Sequence, residues 1–338
     1  MSIYEDYEKR AAVYDKHRVA AGVDTLIGIF LGQTRKPLSQ QMRDKYANCG
    51  TVDMPDIAYV YEKRAAVYDK HRVAAGVDTL IGILLGQTRK PLSQLHVLDA
   101  GCGTGNYSLA LLKEGLGHVT LLDASEGMLH VAKKKLQTFI KDDKAVVTHG
   151  IMPDLDFPDD TFDAVMFNLT LHHVENSPNP EGEYPKIYKT LQRAKQMLKQ
   201  GGVIIFSSIS ACQVRNSYSW LMNDEYQNIA VKLLGIPPDT FKQYLKKIGM
   251  EKIEFVIPAS ATLWNKETHR DLDGPFKQEV RDSVSIFAHI ANLGIMDRYL
   301  DDYQKLRDSI VSNEQFLDID EKKRQDYGQI VFVHGCKL

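Results

Sequence analysis

Residues 97–105 read Val-Leu-Asp-Ala-Gly-Cys-Gly-Thr-Gly, the pattern of a buried strand that runs into a glycine turn. Gly101, Gly103 and Gly105 permit a tight backbone path, and they let a ligand approach where a Cβ atom would block it. The sequence therefore predicts a ligand site directly after the first strand of the sheet.

The residues after this turn have the pattern of a nucleotide-binding unit. Residues 107–114 are rich in leucine and alanine, so a helix should begin at the turn and direct its N-terminal N–H groups at the ligand. Residues 118–122 form the next predicted strand, and Asp123 follows it. A carboxylate at the tip of this strand can accept hydrogen bonds from both hydroxyls of a ribose. Together these features predict a nucleoside site.

Four ordered motifs resemble those of the class I S-adenosylmethionine-dependent methyltransferases. They are residues 98–105, residues 122–125 with Met128, residues 162–165 followed by 171–174, and residues 198–205. A nicotinamide-dependent dehydrogenase would share the strand, the turn, the helix and the acidic strand end. The spacing Gly-x-Gly-x-Gly, in place of Gly-x-Gly-x-x-Gly, favours the methyltransferases. The resemblance covers residues 97–208.

The resemblance implies that S-adenosylmethionine is the cofactor. The family usually has an acidic residue shortly after the third strand, where it contacts the adenine amino group, but this chain has Gly150, Ile151 and Met152 there. We therefore expect apolar side chains and backbone groups to hold the adenine, with Asp154 as an alternative contact. The predicted cofactor-binding residues are Tyr68, Asp99, Gly101, Cys102, Gly103, Gly105, Asp123, Ala124, Ser125, Met128, Ile151, Met152 and Asn168.

Residues 168–173 follow the fourth predicted strand and should line the cleft between cofactor and methyl acceptor, since open α/β sheets bind ligands at the carboxyl ends of their strands. His172 and His173 are the candidate catalytic residues, because imidazole can accept a proton near neutral pH. The alternative is that one of them only caps or packs, as in methyltransferases that need no base. Nothing in this chemistry requires a metal.

The order of predicted elements indicates an α/β fold, a doubly wound, seven-stranded, mostly parallel sheet whose antiparallel last strand is residues 328–334. Residues 95–208 are the predicted core of a methyltransferase domain that spans 59–338. Long connections at about 211–248 and 259–327 should form helical lid insertions. The first insertion carries large side chains that suit either the core or an acceptor pocket: Tyr218, Trp220, Met222 and Tyr226.

The N-terminal part contains a near-identical repeat. Residues 7–40 recur as 61–94, and the copies differ only in having Phe30 in the first and Leu84 in the second. Solenoid repeats stack several diverged copies, so this pattern indicates a segment duplication or a gene-model error. We expect residues 1–58 to be a helical extension that is either accessory or poorly ordered, and the second copy to supply the helix beside the sheet.

Composition and charge limit the partners. A formal net charge of −2 leaves no broad basic face, so duplex nucleic acid is not expected. The longest apolar run, residues 19–32, is shorter than the roughly 20 residues that span a bilayer. No signal peptide is evident, and the four cysteines lack Cys-x-x-Cys spacing. These features predict a cytoplasmic protein with no membrane partner, either monomeric or a weak dimer that exchanges the repeated segment.

Taken alone, the sequence favours a methyltransferase that acts on a small-molecule acceptor, because two lid insertions accompany the lack of basic character. The alternative is a noncatalytic cofactor-binding or scaffolding protein that keeps the fold. The missing acidic adenine contact and the altered N-terminus favour this alternative, whereas the intact glycine turn argues against it.

Overall fold

The computed structural model describes residues 68–175, 178–234, 236–258 and 261–338. The expectations for residues 1–58 and for the first copy of the repeat lie outside the described residues. No helix in the described part of the chain combines the length and the hydropathy that a bilayer span requires.

Seven strands form a single sheet. They are β1 (His96–Ala100), β2 (His118–Asp123), β3 (Ala145–His149), β4 (Phe162–Asn168), β5 (Leu198–Ser208), β6 (Glu251–Val256) and β7 (Val331–Cys336). Their order across the sheet is β3-β2-β1-β4-β5-β7-β6, and β7 runs antiparallel to both of its neighbours. The predicted doubly wound, mostly parallel sheet is confirmed. The chain reverses its direction of winding between β1 and β4, which is where such sheets bind ligands.

Helices cover both faces of this sheet. The helices are α1 (Val77–Thr88), α2 (Asn106–Lys113), α3 (Glu126–Lys135), α4 (Gln137–Lys141), α5 (Leu171–Val174), α6 (Pro185–Met197), α7 (Ala211–Ser217), α8 (Asp224–Leu234), α9 (Pro238–Lys247), α10 (Lys266–Arg270), α11 (Gln278–Asp282), α12 (Ser285–Asn292), α13 (Met296–Ser309) and α14 (Asn313–Tyr327). Successive strand residues alternate between the faces, so Val97 packs with α1 and α2 whereas Leu98 packs with α6 and α9. The helix of the second repeat copy, α1, thus packs against the sheet.

The two insertions extend the core on the α1 face. Tyr226 on α8 and Tyr299 on α13 are fully buried, with their ring centroids 5.0 Å apart in an edge-to-face arrangement. The Tyr226 hydroxyl donates to Asp302 at 2.8 Å, which satisfies its polar end. Tyr226 is therefore a core residue and not part of a pocket.

Two predicted boundaries differ from the structure. The last strand begins at Val331 instead of Gly328, because α14 continues to Tyr327 and Gly328, with φ +66°, ends it. The first insertion is also shorter than predicted. Its last segment is α9, where Phe241 and Leu245 pack on the sheet, so the part inserted between β5 and the sheet helix is residues 211–234.

Candidate active site

The glycine turn between β1 and α2 opens into a cavity of about 900 Å³. A Cβ atom on Gly101 would come within 2.1 Å of Thr170, and one on Gly105 within 2.8 Å of Leu136, so these two glycines are required by protein packing. Gly103, with φ +53°, has no atom within 4 Å of that position. Gly103 is therefore the glycine that leaves the space above the turn open for a ligand.

Asp123 ends β2 and holds the turn in shape. Its Oδ2 accepts a hydrogen bond from the Gly103 N–H at 2.8 Å, and its Oδ1 accepts one from the Ser125 N–H at 2.9 Å. Burial raises the pKa of this carboxyl group, and the backbone N–H groups oppose that shift. Each carboxylate oxygen keeps a further lone pair, so Asp123 can also accept the hydroxyls of a ribose.

The cavity has an apolar rim beyond Asp123. The Ile151 side chain is 63% exposed, and it lines the cavity together with Met128 and Met152. Large apolar side chains exposed at the mouth of a cavity are typical of a ligand site. Asp154 also reaches the wall, but its carboxylate pairs with Lys189 at 2.9 Å. This end of the cavity therefore suits a flat base held by apolar contact.

Two of the predicted cofactor-binding residues lie behind the cavity wall. Asp99 is buried and accepts a hydrogen bond from the Ser108 hydroxyl at 2.6 Å, and burial raises its pKa to about 7. Gly105 is the residue from which α2 begins, packed against Leu136. Both support the turn from beneath and do not line the cavity. The other predicted cofactor-binding residues all line the cavity: Tyr68, Gly101, Cys102, Gly103, Asp123, Ala124, Ser125, Met128, Ile151, Met152 and Asn168.

The segment after β4 is strained. Leu169 has φ +53°, a left-handed conformation that costs a residue with a Cβ atom about 1–2 kcal/mol. Its N–H donates to the Ser207 hydroxyl oxygen at 3.1 Å, which holds the bend in place. The preceding residue, Asn168, is buried at the cavity wall, and its side-chain amide interacts with the Asp99 carboxyl group.

Residues 68–73, from the second repeat copy, close one side of the cavity. The Asp69 carboxylate accepts hydrogen bonds from the side chains of Thr104 and Asn106 in the glycine turn. It also pairs with Lys135 on α3 at 2.6 Å. This ionic contact is partly shielded from water, and it ties the repeat segment to the turn.

The same segment also contacts the second insertion. Arg72 forms an isolated β-bridge with Trp264, and the Val73 N–H donates to the Leu263 carbonyl at 3.2 Å. The Arg72 guanidinium lies 5.4 Å from the Tyr68 ring centroid and 5.6 Å from that of Trp264, within cation–π range. Arg72 therefore lies at the site wall.

His172 and His173 lie at the junction between the cavity and an inner chamber. Their ring centroids are 3.9 Å apart. His173 lines both the cavity and the chamber, whereas His172 lines only the chamber. Burial, and then the positive charge of Arg72, lower the pKa of His173 to about 4. Burial, and then His173, lower the pKa of His172 well below its usual range. Both rings are therefore neutral at neutral pH and can accept hydrogen bonds, but each is a weak base.

The inner chamber has mostly aromatic walls. The Trp220 ring centroid lies 5.2 Å from that of Trp264 and 5.8 Å from that of Phe287. Tyr218 also lines the chamber, whereas Met222 packs against the core. The large side chains of the first insertion are thus divided between pocket and core.

Sequence reasoning predicted the second insertion as a lid but named none of its chamber residues. The chamber residues that it did not name include Leu263, Trp264, His269, Phe287, Arg324 and Gln329. They belong to separate elements, and no spacing in the sequence connects them. Asp320 and Arg324 have the i, i+4 spacing of an ordinary surface pair, yet they are only 5% and 4% exposed.

The doubly wound sheet, the open glycine turn and the carboxylate at the tip of β2 define a nucleoside-binding α/β domain. Residues 98–206 match the family model described as "Methyltransferase domain". The predicted resemblance to the class I S-adenosylmethionine-dependent methyltransferases is therefore confirmed over these residues.

Individual relatives agree with this family. A demethylmenaquinone methyltransferase of Clavibacter sepedonicus is 31% identical over 49% of this chain and 64% of its own length. A malonyl-[acyl-carrier protein] O-methyltransferase of Buchnera aphidicola is 30% identical over 47% of this chain and 56% of its own length. The matches thus span between half and two thirds of these relatives.

A solved structure supports the fold over a longer span. It is that of a protein described as a methyltransferase from an antibiotic biosynthesis pathway of Anabaena variabilis. It superposes with a TM-score of 0.56 at 19% sequence identity, and the match covers 78% of this chain and 98% of that protein. At this identity the likeness extends to the fold alone.

Proposed function

We propose that this protein transfers a methyl group from S-adenosylmethionine to a small-molecule acceptor. One observation carries the proposal: the cavity over the glycine turn and the inner chamber share one stretch of wall. The shared residues are Tyr68, Arg72, Leu169, His173 and Leu263. A methyl donor in the cavity and an acceptor in the chamber would meet there, which is the proximity that group transfer needs.

The cavity residues fit this cofactor. Asp123 would bind the ribose hydroxyls, and the apolar rim at Ile151 and Met152 would hold the adenine. Asn168 and the open face of Gly103 would receive the amino-acid end. When bound, S-adenosylmethionine supplies a methyl group that is already activated on a sulfonium. The protein then has to align the acceptor and exclude water.

His173 is the proposed catalytic residue, with His172 beside it. The neutral His173 ring would accept a hydrogen bond from the attacking group of the acceptor and take its proton as the new bond forms. Arg72 disfavours an early proton transfer to His173, because it lowers the pKa of this ring. We therefore propose that His173 orients the acceptor first and acts as a base late in the reaction.

The proposed partner is a small molecule and not duplex nucleic acid. The chamber is enclosed by lid side chains, and the formal net charge of the chain is −2. Such a surface gives little attraction to a polyanion.

Binding and transfer can be tested on the full chain. Calorimetry with S-adenosylmethionine, S-adenosylhomocysteine and NAD should give binding of the first two and not of NAD. Methyl-labelled S-adenosylmethionine should then label a small-molecule acceptor in the presence of the protein. Preferential binding of NAD, or binding of none of the three, would overturn the proposal.

A further inference from the structure

The inner chamber has features that indicate the chemical class of its occupant, and the argument rests on the methyl transfer proposed above. Trp220, Trp264 and Phe287 present ring systems from three separate elements. Flat aromatic walls of this kind favour a flat ring over a flexible chain, because rings gain offset-stacked and edge-to-face contacts.

The chamber is the smaller of the two spaces. Its accessible volume is well below that of the outer cavity, which is about 900 Å³. A compact ring therefore suits the chamber better than a long isoprenoid or acyl chain.

Three lining residues have a buried polar atom that makes no hydrogen bond within the described residues. These atoms are the Trp264 indole Nε1, the Ser217 hydroxyl Oγ and the Arg324 Nε. A buried donor without a partner costs about 1–3 kcal/mol, so three in one chamber favour a ligand with an acceptor oxygen.

The charges around Arg324 favour a neutral oxygen over a carboxylate. Its Nη1 donates to Asp320 and its Nη2 to Glu321, the latter at 2.7 Å, which leaves Nε for a ligand. A ligand carboxylate would lie beside these two acidic side chains. His173 and Arg72 line the same chamber, and they suit a hydroxyl group that gains negative charge as it reacts.

We propose that the methyl acceptor is a neutral, single-ring phenol with a second oxygen substituent. The ring packs against the wall that Trp220, Trp264 and Phe287 form, and the second oxygen accepts hydrogen bonds from Trp264 and Arg324. The phenolic hydroxyl faces His173 at the shared wall. In the reaction the phenolic oxygen forms a bond to the methyl carbon, the sulfur–carbon bond breaks with its electron pair left on sulfur, and the phenolic proton passes to His173.

The chain supplies its own reporter for occupancy of the chamber. It contains two tryptophans, Trp220 and Trp264, and both line the chamber. Intrinsic fluorescence, excited at the red edge of the indole absorption, therefore measures binding without cofactor or turnover. The probes are 2-methoxyphenol, toluene as a ring without oxygen, benzoate as an anionic ring, and geraniol as a chain alcohol.

We expect 2-methoxyphenol to quench this fluorescence at the lowest concentration of the four probes. Trp264→Phe, followed through the remaining Trp220, should weaken the binding of 2-methoxyphenol about two- to tenfold more than that of toluene, because only 2-methoxyphenol loses a hydrogen bond. Ser217→Ala should act in the same direction. Trp220→Phe is the matched control. It also removes part of one wall but no unpartnered donor, so the binding of 2-methoxyphenol and of toluene should weaken equally.

Stronger binding of benzoate or geraniol than of 2-methoxyphenol would overturn this assignment, as would equal binding of toluene. The outcome is separable from the proposed function. Cofactor binding measured by calorimetry can succeed while the phenol fails to bind, in which case only the acceptor class is wrong.

Discussion

The two halves of the site are constructed in different ways. The proposed cofactor half is formed by short segments at the ends of β1, β2 and β4, and backbone geometry sets its shape. The proposed acceptor half uses side chains from the two insertions, which only packing brings together. A short motif can therefore predict where a cofactor binds, whereas the shape of the inner chamber depends on the whole fold.

Acidification should have the largest effect on the free energy of unfolding. It also tests whether the two halves of the site unfold in a single transition. Burial lowers the folded-state pKa of His269, in the second insertion, to about 3 and that of His334, in the sheet, to about 4. Below the ordinary histidine pKa of 6.5 the unfolded chain binds more protons. The free energy of unfolding should therefore fall with decreasing pH, by about 1.4 kcal/mol per pH unit for each such histidine. The pKa of Asp99 is raised in the folded protein, so this one carboxyl group stabilises the fold on acidification and offsets part of the effect.

Urea unfolding between neutral pH and about pH 5 measures this slope. His269→Gln and His334→Gln should each reduce this slope by the contribution of about one proton. Each variant should still unfold in a single transition. Two transitions, each responding to one variant, would mean that the lids and the sheet unfold separately. A free energy of unfolding that rises on acidification would contradict the prediction.

Asp123→Ala should weaken cofactor binding at least about tenfold, because a charge-assisted hydrogen bond contributes about 1.5–3 kcal/mol. It should leave the quenching by 2-methoxyphenol unchanged if the two halves bind independently. Calorimetry with S-adenosylhomocysteine provides the first measurement. Asp142→Ala, which removes an exposed carboxylate elsewhere, is the control. Unchanged cofactor affinity in folded Asp123→Ala would remove this residue from the site.

His173→Gln should reduce the turnover number at least about tenfold with unchanged cofactor affinity, since general bases contribute this much or more. Turnover of the unaltered protein should stay level from about pH 8 to about pH 5, because the folded pKa is about 4 and the neutral base persists through that range. An acid limb centred near 6.5 would contradict the prediction. So would unchanged turnover in both His173→Gln and His172→Gln.

Gly103→Ala separates backbone strain from ligand approach. Gly103 and Gly115 both have positive φ, and a Cβ atom added at either would meet no atom within 4 Å, but only Gly103 lines the cavity. Both substitutions should lower the free energy of unfolding by about 1–2 kcal/mol. Only Gly103→Ala should also weaken the binding of S-adenosylhomocysteine. Equal affinity in the two variants would mean that the ligand does not approach the turn at Gly103.

Deletion of residues 1–54 should have the smallest effect. The second repeat copy already supplies α1 and the Asp69 contact with the glycine turn, so the first copy has no assigned task in the site. Calorimetry and turnover of the shortened chain should match those of the full chain. Loss of cofactor binding would assign a role to the first copy.

The sequence by itself determined the doubly wound sheet and the position of the cofactor cavity. Residues 97–105 and Asp123 form a local pattern, and neighbouring parallel strands bring such segments to one edge of the sheet. The N-cap of α3 is likewise a local interaction, in which the Ser125 hydroxyl accepts a hydrogen bond from the Met128 N–H at 3.2 Å.

Only the tertiary structure decided which of these residues reach the ligand space. Asp99 and Gly105 match the motif but lie beneath the cavity wall, because Ser108 and Leu136 pack against them. Trp264 and Arg324 have no local signature, yet packing buries both beside the acceptor chamber. The physical reason is that backbone hydrogen bonding follows local pattern, whereas burial and charge pairing depend on contacts between residues far apart in the chain.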